Sequence, residues 1–323
     1  MFISLDETKK LITEGKLLHI AADEKLINQL PKGNWIGGTT PYFITESGGT
    51  VSDEKLFVDE IDFAKDFKLA EYDKNNILDI TKEAYHNGIT IIIIPFASDV
   101  GVYFSKEAPN SEDFLLTPII GWISGFNLER GGTAKVYNGI DGTVFNDKAV
   151  ALHINLPDNK FASIGIINIF KYNECADIIE FYEDSLYVRN CKVNGKDVIF
   201  EKYIADNKID TKLPLVCDYN SALVNASIKS ISSDDNTVEL YAPVFAGRQY
   251  RFASSIKNYH DCFDRCIDDY KNCKPFFSCN CILNYLYGNF VGKSTRPFEG
   301  PVTFGEVAHQ LLNQTLVYAE IVE

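Results

Sequence analysis

Residues 89–96, Ile-Thr-Ile-Ile-Ile-Ile-Pro-Phe, offer almost nothing polar on either alternating face. Successive side chains of a strand point to opposite sides of its sheet, so such a run needs cover on both sides. It is also less than half as long as a bilayer span, which takes about 20 apolar residues as a helix. The chain is therefore expected to bury at least one sheet between other layers, with no membrane insertion. Composition supports a large core, at 46% hydrophobic and 13% aromatic residues.

What surrounds that run is mixed. Ser4 followed by Glu7 reads as a reciprocal helix cap, and Asp23 reads as a second cap. Strands are expected at residues 17–21, 35–45 and 55–63, and a helical stripe at 75–87. From residue 117 to 169 the pattern becomes a succession of strands separated by turn dipeptides such as Asn138-Gly139 and Asp141-Gly142. A doubly wound parallel fold would keep alternating helix and strand, so the expected class is α+β. The second half is strand-rich, with one clear amphipathic helix at 255–271 and a short one at 282–287. The expected organisation is two lobes, 1–172 and 173–323, each a mixed or largely antiparallel sheet with flanking helices, the two related as a pseudo-repeat.

Charge narrows the function classes. Lys and Arg number 31 against 45 Asp and Glu, a net charge of −14, which disfavours phosphate backbones and anionic lipid. No nucleic-acid partner is expected. The N-terminus, MFISLDETKK, has no basic segment leading into a long apolar stretch, so a cytoplasmic location is expected.

Eight cysteines in a reducing compartment read as thiols, five of them between Cys262 and Cys281. They lack the Cys-x-x-Cys spacing of a zinc knuckle, and the five histidines form no His-x-x-x-His pair, so neither metal nor cofactor is expected. Two constellations remain. Cys279 with His309 would make a thiol nucleophile and its base. Thr303, Glu306, Asn313 and Thr315, with Arg251, supply the carboxylate, amide, hydroxyls and guanidinium that would fix an amino-acid-like ligand. Thr39 and Thr40, after Gly37-Gly38, offer hydroxyls where a ligand approaches backbone closely, or else mark a glycine pair needed for packing.

The stretch Phe277-Ser278-Cys279, then Gly300-Pro301-Val302-Thr303-Phe304-Gly305-Glu306-Val307, then Asn313-Gln314-Thr315-Leu316 resembles the C-terminal signature of FIST sensory domains. Gly37-Gly38-Thr39-Thr40-Pro41-Tyr42-Phe43-Ile44 looks like a degenerate form of that family's N-terminal strand. Gly38 stands where the cysteine would be, and Tyr42-Phe43 replace Gly-Glu. Pro118-Ile119-Ile120-Gly121 and residues 144–150 look like later strands of the same half. The resemblance implies a stand-alone sensory module that binds a small molecule, an amino acid or related metabolite, and passes the signal to a protein partner. The alternatives are a cysteine-dependent enzyme and a scaffold or protein-interaction module.

Overall fold

The Gly88–Pro95 strand lies where its sequence demands, inside a six-stranded sheet and buried at every position. It runs parallel to Ile119–Ser124 on one side and antiparallel to Ala149–Asn155 on the other. The computed structural model describes residues 1–219 and 222–323. The expected α+β class is what it shows: mixed and antiparallel sheets with short helices on their flanks.

Three of the four six-stranded sheets share one plan. In each, a lead strand runs parallel to a second strand: Leu18–Ala22 with Trp35–Thr39, Gly88–Pro95 with Ile119–Ser124, and Phe277–Cys281 with Gly300–Thr303. A helix joins each pair, and each lead strand pairs antiparallel with a closing strand, Lys55–Glu60, Ala149–Asn155 or Leu316–Val322. An edge strand completes that side: Phe2–Ser4, Asp66–Tyr72 or Phe161–Ile167. The chain thus repeats one unit three times, in the order edge, lead, second, hairpin, closing.

The hairpin of each unit leaves its own sheet. Tyr42–Thr45 of the first unit pairs with Gly300–Thr303 of the third, Val136–Asn138 of the second with Trp35–Thr39 of the first, and Glu306–Ala308 of the third with Ile119–Ser124 of the second. The exchange closes a ring. Its first crossing is made at Pro41, and it corrects the single strand expected over 35–45. Proline offers no N–H to continue a ladder, and the Thr40 hydroxyl turns to donate 2.7 Å to the Val302 carbonyl.

Side chains from all three sheets meet in one apolar cluster containing Phe57, Ile93, Trp122, Phe277 and Cys279. Trp122 Nε1 donates 2.8 Å to Nε2 of the fully buried His19, and His19 Nδ1 lies 2.9 Å from Asp59 Oδ2. An indole N–H is only a donor, so His19 Nε2 must be the accepting nitrogen and Nδ1 carries the proton toward Asp59. The Gly37-Gly38 pair is explained by the same packing. A Cβ on Gly38 would come 2.8 Å from both Ile93 and the Trp122 ring, and one on Gly37 would meet Ile27 at 2.8 Å.

Between the edge strand of the third unit and the helix Tyr259–Asp268 that precedes its lead strand, residues 179–252 form an inserted module. It contains a sheet running from Lys196–Ile199 to Ala222–Ala226, a three-stranded sheet, and a core of its own around Ile179, Phe200, Leu215 and Tyr250. The boundary expected at residue 172 does not separate two sheet systems. Phe161–Ile167 pairs along its whole length with Leu316–Val322, Tyr42–Thr45 joins that same sheet at Gly300–Thr303, and a second sheet also joins strands from both sides. The Ser4 and Glu7 cap is present as read, whereas the expected helix at 75–87 is a short 3-10 turn followed by Ile80–Glu83. Helices Asp99–Glu107 and Phe200–Asp206 were not expected from sequence.

Replacing Gly38 by Val should cost about 1–3 kcal/mol through overpacking against Trp122 and Ile93. Urea denaturation measures this, and an unchanged midpoint would contradict the packing role.

Candidate functional site

In parallel open sheets, ligands bind outside the carboxyl ends of the strands. Register places Thr39 opposite Ala22, Ser124 opposite Pro95 and Thr303 opposite Cys281, so one hydroxyl residue ends the second strand of every unit. These ends touch in sequence around the ring. Thr39 Oγ1 donates 2.6 Å to the Gly125 carbonyl while Gly125 N donates to Thr39 O, and Phe304 N donates to Ile123 O. Thr39 and Thr303, singled out from sequence, are therefore equivalent positions. Ser124, the third, was missed because its flanks, Gly-Trp-Ile before and Gly-Phe-Asn after, share no Thr-Pro or Thr-Phe-Gly signal with the others.

The third unit keeps its polar groups inside. Glu306 is fully buried, and its Oε2 accepts from Thr315 Oγ1 at 2.7 Å and from Thr315 N at 3.2 Å. Thr303 Oγ1 stands 3.5 Å from Oε1 and 3.3 Å from the Asn280 carbonyl. Burial pushes the Glu306 carboxyl up to about 8, with the hydrogen bonds from Thr315 acting the other way. It is therefore mainly a neutral acid at pH 7, able to donate from Oε1 to Thr303. The Cys279 and Cys281 thiols beside it are also raised well above the usual thiol value, chiefly by burial and then by the Glu306 charge.

Thr303, Glu306 and Thr315 thus come together, with Cys279 beside them, but as a closed internal knot. Asn313 faces the other way and fastens the inserted module: its Oδ1 accepts from Ser227 N at 3.1 Å and its Nδ2 donates to Asn225 O at 3.1 Å. Arg251 does not join them. It lies in the inserted sheet, where Nη1 donates to the Glu174 and Ala176 carbonyls. Cys279 and His309 are committed separately, Sγ to Gly121 O at 3.5 Å and His309 Nδ1 to the Phe114 carbonyl at 2.9 Å. The expected nucleophile and base pair is not assembled.

The first unit opens to solvent at the corresponding place. Thr39 and Thr40 form the floor of a crevice of about 400 Å³, walled by residues 23–28 and by the loop 125–133. Their hydroxyls are internally used, Thr39 Oγ1 also accepting from Lys135 N, so they fix the loop and shape the floor. The charged groups of the crevice include Arg130, which donates 2.7 Å to Asp23 Oδ2 and lies 3.5 Å from Asp53, Lys25, 4.0 Å from Asp53, and Glu24, which holds Lys135. Asp23 is only 12% exposed. Arg130 was overlooked because a lone arginine in a polar loop gives no periodic signal. Its loop is turned by Asn127, whose Oδ1 accepts from the backbone N–H groups of Glu129 and Arg130, and by Gly131 at φ +70°.

Two measurements test the third-unit knot. Glu306 keeps a proton in the native state that the unfolded chain releases near 4.5, so its stabilisation is complete below 4.5 and is lost as pH rises through about 8. His153, held down at about 4 by burial from its usual 6.5, contributes in the opposite sense and only below about 6.5. Between pH 6.5 and 8.5 the urea midpoint should therefore fall, and Glu306→Gln should flatten that fall. An unchanged slope in the variant would refute the assignment. Separately, Ellman's reagent should label exposed Cys175 quickly and Cys279 and Cys281 only on unfolding; fast native labelling of Cys279 would contradict its burial.

Residues 3–322 match a family of unknown function, DUF6976, and the chain belongs to it. No curated protein and no solved structure matches.

Proposed function

We propose that this chain is a small-ligand-binding protein of the sensory kind, and that its ligand is an amino acid or a related zwitterion held in the crevice between Thr39 and Arg130. The observation that carries this reading is the meeting of Arg130 with Asp23 and Asp53 over a floor at the carboxyl ends of parallel strands, with Glu24 on the same wall. A guanidinium has five N–H donors. Those left over from Asp23 and Asp53 would take a carboxylate in the forked geometry that arginine favours, while Glu24 and Asp23 would face an ammonium. The resemblance to FIST sensory domains supports the same class of ligand. A protein partner would read the bound state through the exposed tip of the loop 125–133. The reading as a cysteine enzyme has less support, since Cys279 is a buried neutral thiol turned to the Gly121 carbonyl while His309 is committed to the Phe114 carbonyl.

A thermal-shift series over the standard amino acids tests this. Ligand at about 100 times its dissociation constant adds about 2.7 kcal/mol, or roughly 4 °C for a chain of this size. Arg130→Gln should abolish the response of the best ligand, and Asp23→Asn, which preserves the helix cap, should weaken it. No shift with any amino acid, or an equal shift in Arg130→Gln, would overturn the proposal.

A further inference from the structure

The second unit has a crevice at the equivalent position, and its chemistry differs. Beyond the ends of Gly88–Pro95 and Ile119–Ser124 lies a cavity of about 170 Å³, bounded by Phe96, Ile123, Phe304 and Leu311 on the body side. The three-stranded sheet of the inserted module forms the opposite wall, with Tyr241 facing it and Lys229 at the rim. Seams between structural modules are a favoured place for small-molecule sites. Size narrows the occupant: an engineered apolar cavity of about 150 Å³ takes up benzene.

Backbone and polar groups narrow it further. Ala97, between Phe96 and the Ser98 cap of the Asp99–Glu107 helix, is held at φ +58°, a left-handed conformation that costs an alanine energy and that recurs at ligand sites. Glu239 is largely committed, because Oε1 takes Lys229 at 2.7 Å and Tyr187 at 3.2 Å while Oε2 takes Ser230 at 2.9 Å, three of its roughly four acceptor sites. The Lys229 ammonium has three N–H donors, and among the described residues only Glu239 engages them. It also stands over the Phe96 ring at 5.4 Å from the centroid. Tyr241 brings a phenol that no hydrogen bond engages among the described residues, kept neutral as burial raises it to about 12.

We propose that this seam binds an uncharged monocyclic aromatic molecule carrying one hydrogen-bond acceptor, such as an aromatic amide. The ring lies against Phe96, Phe304, Ile123 and Leu311, and its acceptor takes a spare Lys229 N–H or the Tyr241 hydroxyl. A carboxylate is disfavoured because it would sit beside Glu239, whose charge Lys229 already balances. Occupancy joins Lys229 and Tyr241 of the inserted module to Phe96 and Phe304 of the body, so the ligand clamps the module in place.

Fluorine NMR titration of the full chain with para-fluorobenzamide tests this, with para-fluorobenzoate as the charge control. Saturable binding is expected with a dissociation constant on the order of 1 mM, and at least roughly tenfold weaker binding of the benzoate. Leu311→Trp, which fills the cavity, should abolish binding. Val102→Trp enters the cavity from an exposed helix position and serves should Leu311→Trp fail to fold. Lys229→Met should weaken the amide, whereas Arg130→Gln should leave it unchanged, separating this site from the zwitterion crevice. Absence of saturable binding, equal binding of the benzoate, or undiminished binding in a folded cavity-filling variant would overturn the proposal.

Discussion

Each second strand would end its sheet with a bare row of N–H and C=O groups if the units stood alone. A buried main-chain group without a partner costs about 1–3 kcal/mol, and a strand edge carries several. The neighbouring unit's hairpin supplies the partners, and because the exchange runs from first to third, second to first and third to second, no unit can leave without exposing two others. The Trp122, His19 and Asp59 chain sits inside that ring and ties the second unit to the first through the buried Trp122–His19 hydrogen bond, with Asp59 holding the imidazole from within the first unit. Much of what this protein offers a ligand follows from the interlock, because the crossing segments that complete the sheets also wall the crevices at the strand ends.

One framework therefore presents three chemistries at equivalent places. In the first unit the crossing loop brings Arg130 against Asp23, giving a polar, partly open crevice. The second has the crossing residue Phe304 and the inserted module, giving a small and mainly apolar cavity. In the third, Tyr42 and Tyr285 pack edge-on with ring centroids 5.8 Å apart, and the polar groups turn inward as the Glu306 knot. The knot also serves the second unit indirectly. Thr315 holds Glu306, while its neighbour Asn313 holds Asn225 and Ser227 in the module that roofs the apolar cavity.

The fold class was legible because it rests on local patterns. Residues 89–96 announce a strand covered on both faces, and caps such as Ser4 with Glu7 announce helix starts. The likeness between the stretches around Thr39 and Thr303 was visible too, and they prove to be equivalent positions. The threefold plan was not legible, since exchanged strands of three or four residues are too short for alternation to specify a partner and the second copy, at Ser124, keeps only the hydroxyl. A gathering of Thr303, Glu306 and Thr315 was foreseen from spacing, but its burial was not, because a carboxylate in an acidic sequence looks solvated until its neighbours are known. Arg251 was misplaced for a related reason: it sits on a strand of the inserted module, where its guanidinium is taken by the Glu174 and Ala176 carbonyls.

Native-state hydrogen exchange tests the interlocked ring most directly. The amides of Trp35–Thr39, Ile119–Ser124 and Gly300–Thr303 should become exchangeable together, at one free energy close to that of global unfolding, with the inserted module free to open below it. Independent opening of residues 1–172 while the third unit's strands stay protected would contradict the account.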